Sequence, residues 1–151
     1  MGAHVRLLPL LTVVITLSLL GSKSESTLWA ASHQVLYLTQ SAGFAHPVLD
    51  HSEDTLERIT EESGLFELTV SRDASILTAE TLAKYHAIIF FTTGELPMSV
   101  DQQAALLAYV RRGGGFVGVH SATDTFFEWP GYLALIGGYF DGHPWRQEVT
   151  V

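Results

Sequence analysis

The chain contains seven histidines and no cysteine. That excludes disulfides, thiolate metal sites and thiol nucleophiles together. Imidazoles and carboxylates are left to carry any proton transfer or metal binding. His120 has the most informative surroundings, in the stretch Gly118-Val119-His120-Ser121-Ala122. An apolar run precedes it and small residues follow, which predicts a strand end meeting a helix start. Nucleophile elbows place a G-x-nucleophile-x-G sequence at such a junction. Here an imidazole holds the nucleophile position and Ala122 takes the small-residue place. Imidazole serves badly in acyl transfer, but well as a general base, a partner for a sugar hydroxyl or a metal ligand. The plain alternative is a hydrogen-bonded structural histidine.

Two further histidines have suggestive settings. His46 lies in Gly43-Phe44-Ala45-His46-Pro47, and His143 in Gly142-His143-Pro144-Trp145. With His120 they make a three-histidine set able to hold a divalent metal with one position open, provided the fold brings them together. Between Asp124 and Trp145 lies a dense run of carboxylates and aromatics: Asp124, Glu128, Trp129, Tyr132, Tyr139, Asp141 and Trp145. Aromatic faces beside oriented acceptors suit carbohydrate, whose ring faces stack and whose hydroxyls need partners. For each single aromatic, core packing is the competing assignment. His33, His51 and His86 read as surface or structural.

The elements that must position these residues follow from periodicity. Short apolar runs at 34–39, 66–70, 87–91 and 116–120 predict strands. A helix opens near Pro47 and runs to about Glu62, with Gly64 as its stop. Val48, Ser52, Leu56 and Ile59 form its inner face. A short helix is expected at 78–84. The next begins at Ser99, where Gln102 completes a capping box, and ends at Arg112 with Gly113 as its cap. Another short helix covers 129–136, and a further strand starts at Gln147. Strands alternating with helices predict an open, doubly wound parallel sheet with helices on both faces. His46, Glu95 and His120 then share its carboxyl edge, where such folds bind ligands. The chain ends within a strand, so it reads as the front part of a longer domain.

Gly113-x-Gly115-x-x-Gly118 fits the dinucleotide-binding pattern, but in the wrong order. That motif needs a strand before the glycines and a helix after them, and here a helix precedes and a strand follows.

Arg6 followed by the apolar run Leu7–Leu20 and the polar stretch Gly21–Ser26 predicts a signal peptide over 1–24, cleaved between 21 and 31. The run is short of the roughly 20 apolar residues of a spanning helix. Residues 25–33 form a polar lead-in, and 34–151 the domain. A secreted or periplasmic protein is expected, without stable membrane insertion after cleavage. The net charge is −8, and loss of Arg6 and Lys23 with the leader leaves six basic against 16 acidic side chains, −10. Such a surface repels phosphate backbones and excludes nucleic acid as a partner.

Taken together, Arg112-Gly113-Gly114-Gly115-Phe116-Val117-Gly118-Val119-His120-Ser121-Ala122-Thr123-Asp124, Trp129-Pro130, Tyr132, Gly138-x-Phe140 and Gly142-His143-Pro144-Trp145 resemble the trehalose-utilisation (ThuA-like) domain family. Gly43-Phe44-x-His46 and Thr92-Thr93-Gly94 are similar to its remaining marks. The resemblance covers residues 34–151 and implies the class I glutamine-amidotransferase-like superfamily. His120 stands where true amidotransferases carry cysteine, so glutamine hydrolysis through a thioester is not available. A departure occurs at Tyr85-His86, where family members usually have Tyr-Asp. The resemblance further implies a disaccharide or a 3-keto-glycoside as substrate. In that reading His120 is general base or metal ligand, with His46 beside it and Asp124 as orienting carboxylate. His143, Trp129, Trp145 and Glu95 contact substrate. The alternative is a non-catalytic sugar-binding or structural module of a longer secreted protein.

Overall fold

The computed structural model describes residues 33–143. The leader, most of the lead-in, Trp145 and the strand expected from Gln147 lie outside the described residues. Four strands, β1 (His33–Leu38), β2 (Phe66–Ser71), β3 (Ala87–Phe90) and β4 (Gly115–Gly118), alternate with helices α1 (Leu49–Ser63), α2 (Ala79–Leu82), α3 (Val100–Arg111) and α4 (Pro130–Ile136). The sheet order is β2-β1-β3-β4 and every pairing is parallel. Parallel strands need crossovers, and each crossover here carries a helix. This is the open α/β sheet expected from the sequence.

Side chains alternate across the sheet, which fixes two unlike faces. Leu36, Leu38, Ile88 and Phe90 point into the main core, where they join Leu82, Leu106, Tyr109, Phe126 and Tyr132. Tyr37 points to the opposite face, where its hydroxyl meets Ser52 of α1 at 2.9 Å. Ser99 and Gln102 make both bonds of the capping box. Gly113, at φ 97°, closes the other end of α3.

Helix α1 departs from the expected pattern. Its inner face is directed correctly, since Ser52 bonds the sheet. Yet no residue of α1 is buried, and Val48 and Ile59 remain 49% and 42% exposed. Polar ties seat the helix instead. Glu53 accepts hydrogen bonds from Thr39 of the sheet edge and from Arg72, which also pairs with Asp50. The helix also starts at Leu49, two residues after Pro47, because the His46 carbonyl first closes a turn onto the Leu49 N–H at 3.2 Å.

The Tyr85-His86 departure has a direct structural account. Nδ1 of His86 accepts the Gln34 N–H at 2.9 Å, and the His86 N–H donates to the Gln34 carbonyl at 2.8 Å. An aspartate would offer a carboxylate oxygen for the same N–H. The histidine keeps the acceptor, and β1 stays tied to β3 at its start.

Candidate functional site

Three loops leave the carboxyl edge of the sheet and are laced together through Thr93 and Gly94. The Thr93 carbonyl accepts the N–H groups of Ala42 and Gly43, at 2.8 and 3.2 Å, while the Gly94 N–H donates to the Asp124 backbone carbonyl at 2.7 Å. The Thr93 hydroxyl donates to the Phe44 carbonyl at 2.9 Å. The loop after β3 therefore splints the loop after β1 to the segment after β4. Only glycine fits at 94: φ is 74°, and an added Cβ would lie 2.5 Å from the Gly43 nitrogen.

Strand β4 stops at Gly118, earlier than expected, and the chain turns into a single 3-10 turn over His120–Asp124. His120 makes the turn with φ 46°, a left-handed conformation uncommon for a residue with a Cβ. Tyr132 donates to the Ala122 carbonyl at 2.9 Å, and burial pushes its phenol well above the ordinary range, so it remains a donor. Thr125 bonds both the Ser121 carbonyl, at 3.3 Å, and the Thr92 hydroxyl, at 2.9 Å. The strained turn is thus anchored from both sides.

These constraints bring His46 and His120 into contact. Their Nε2 atoms are 3.1 Å apart, with rings edge to face and centroids separated by 4.7 Å. Phe91, the residue after β3, packs against both rings, and Phe44 packs against His46. The pair opens into a cavity of about 430 Å³ lined by Phe44, His46, His120, Ser121, Thr123, Asp124, Phe140 and His143. Phe140 is held at its rim by a bond from its N–H to the Thr123 carbonyl, at 2.9 Å, and its ring packs on His143.

The tautomer of the pair follows from burial. Nδ1 of His46 is buried and has no hydrogen-bond partner among the described residues. A buried N–H without an acceptor costs about 1–3 kcal/mol, whereas a bare ring nitrogen leaves no donor unpaired. In the neutral pair the bridging hydrogen therefore belongs to Nε2 of His46, and His120 accepts it. His120 then carries its own hydrogen on Nδ1, which makes no bond to another described residue. The Asp124 carboxylate likewise has no hydrogen bond or ion pair among the described residues.

Of the residues singled out in the sequence, His46, His120, Asp124 and His143 share this cavity. Trp129 does not line it: its ring packs on Phe126 and Tyr132 against the core. Glu95 accepts the Glu128 N–H at 3.1 Å and is likewise absent from the lining. Trp145 lies outside the described residues. Among the described residues, no group of three His, Asp or Glu side chains is placed to hold a metal ion, so the three-histidine arrangement does not form there. Metal ligation through both Nε2 atoms would also force the hydrogen of His46 onto its buried, partnerless Nδ1. Sequence reasoning passed over Ser121, Thr123 and Phe140. The 3-10 repeat puts Thr123 one turn from His120, on the same side, a signal available only once that turn is known.

Comparison with known proteins agrees with this architecture. No curated protein matches the chain. A solved structure of a ThuA-like protein from Bacteroides uniformis is similar, with a TM-score of 0.57 and 29% sequence identity over 71% of this chain. The chain spans 44% of that protein's length. The family described as trehalose utilisation, ThuA, matches residues 34–151. The match covers most of the chain and the fold agrees with it, so the chain belongs to the ThuA family.

Proposed function

We propose that this is an exported carbohydrate-processing protein that acts on a disaccharide or its 3-keto derivative at the His46–His120 pair. The observation that carries the reading is the 3.1 Å contact between the two Nε2 atoms at the wall of a cavity also lined by Asp124. Phe44 and Phe140 give that cavity apolar faces against which a sugar ring packs.

The hydrogen-bond pattern supports the following roles. His46 fixes the tautomer of His120, whose Nδ1–H donates to the keto oxygen of the substrate. Neutral imidazole is a known electrophile for a carbonyl in this form. The lone pair of His120 is engaged by His46, so the base role passes to the Asp124 carboxylate, which has no partner among the described residues. A keto group acidifies the neighbouring C–H, and Asp124 takes that proton as the electron pair forms an enolate. Collapse of the enolate expels the glycosidic oxygen from the adjacent carbon, and the proton on Asp124 moves to the departing oxygen. Elimination alone is a lyase reaction, and water addition to the resulting double bond makes the net change hydrolysis.

The test is turnover of 3-keto-trehalose by the purified protein and by H120A, H46A and D124N. Loss of a positioned acid or base lowers kcat by about 10²–10⁴, which is the expected result for H120A and D124N. Binding without turnover in the wild type would instead favour a non-catalytic sugar-binding module.

A further inference from the structure

Ser121 is a pocket residue whose hydroxyl the fold leaves unused. The residue is 6% exposed, lies next to His120 and lines the same cavity. Its Oγ is buried and has no hydrogen-bond partner among the described residues. Buried hydroxyls are nearly always paired, and an unpaired one carries an uncompensated loss of solvation. The main chain around it is held fast, by Thr125 on the Ser121 carbonyl and Tyr132 on the Ala122 carbonyl. The side chain is not. Its hydroxyl makes no bond among the described residues, so rotation about the Cα–Cβ bond breaks none. Among the described residues, the other buried side-chain polar atom without a partner is Nδ1 of His46, which the tautomer argument accounts for. Ser121 Oγ has no such account.

We infer that the Ser121 hydroxyl is a substrate contact that donates a hydrogen bond to a sugar oxygen, beside the one bound by His120. The inference rests on the carbohydrate reading of the cavity and adds a residue to it. A site that spends a buried hydroxyl on its ligand discriminates against analogues lacking the matching oxygen. Ser121 is thereby a specificity residue.

Calorimetric titration of the full chain with trehalose and with 3-keto-trehalose tests this, together with thermal melting of the sugar-free protein. The variants are S121A, which removes the hydroxyl, and S121C, which keeps the shape with a much weaker donor. Both are expected to melt no lower than the wild type, because no bond within the protein is lost, and to bind whichever sugar the wild type binds about tenfold more weakly. Unchanged affinity for that sugar in both variants would overturn the role of Ser121 and leave the cavity reading standing. A melting point several degrees lower in both would also overturn it, since the hydroxyl would then have a partner in the fold. A wild type that binds neither trehalose nor 3-keto-trehalose in the same titration would sink the carbohydrate reading and the inference together.

Discussion

His46 and His120 meet nitrogen to nitrogen at 3.1 Å although 74 positions separate them in sequence. His120 closely follows the end of β4 and His46 lies in the loop that follows β1, and those two strands are not neighbours. Between them lies β3, and Thr93 and Gly94 in the loop after it bond the loops on either side. The contact thus depends on backbone hydrogen bonds and one glycine, and those supports keep a site within the tolerance its chemistry needs.

Gly94 should be the most sensitive position that does not itself line the cavity. Alanine there meets both a φ of 74° and a Cβ 2.5 Å from the Gly43 nitrogen. G94A is expected to cost at least about 2 kcal/mol of stability. It should also separate the two imidazoles, which loss of the His46–His120 coupling in a double-mutant cycle would reveal. A stable G94A with intact coupling would show that the splint is dispensable.

Acid should loosen α1 before the core. The Arg72 guanidinium and the Thr39 hydroxyl hold the Glu53 carboxyl below its ordinary value. A lowered folded-state pKa contributes stability that is complete above the unfolded value, about 4.3, and lost as pH falls through the folded one. Melting temperatures measured between pH 7 and pH 3 should therefore fall more steeply for the wild type than for E53Q. At pH 7, E53Q should be destabilised by about 1–2 kcal/mol. Parallel pH profiles would contradict the polar seating of α1.

His86 and aspartate should be interchangeable where histidine and alanine are not. H86D retains an acceptor for the Gln34 N–H and is expected to melt within a few degrees of the wild type. H86A loses the bond seen at 2.9 Å and should cost about 1 kcal/mol. Equal losses in the two variants would mean that ring packing between His33 and His86, and not the acceptor, matters there.

Export predicts a shortened mature chain. Expressed with its leader in a secretion-competent host, the protein should appear outside the cytoplasm with an N-terminus between about residues 22 and 32, read by N-terminal sequencing or intact mass. Full-length protein retained in the cytoplasm would contradict it. No helix among the described residues is long and apolar enough to cross a membrane.

The sheet was legible because β1 and β3 are rich in apolar residues, β2 alternates apolar and polar ones, and clear stops separate the elements, such as Gly64 after α1 and the Ser99–Gln102 box before α3. The strand-end positions of His46 and His120 followed from that alternation. What periodicity could not supply was tertiary: α1 carries an apolar stripe, yet polar bonds seat it. Trp129 illustrates the same limit, since an aromatic beside carboxylates looks alike in sequence whether it faces a ligand or, as here, Phe126 and Tyr132. Ser121 escaped notice because an unpaired hydroxyl becomes visible only when its surroundings are known.

The central claim is that His46 sets the tautomer of His120 so that its Nδ1–H meets a carbohydrate in the cavity. Imidazole nitrogen NMR of the 15N-histidine-labelled chain, recorded with and without saturating trehalose, tests both halves at once. The account predicts a hydrogen on Nε2 of His46 and on Nδ1 of His120, with the His120 Nδ1 resonance shifting when trehalose is added. A His120 protonated on Nε2 in the free protein, or one whose nitrogen signals do not respond to trehalose, would contradict it.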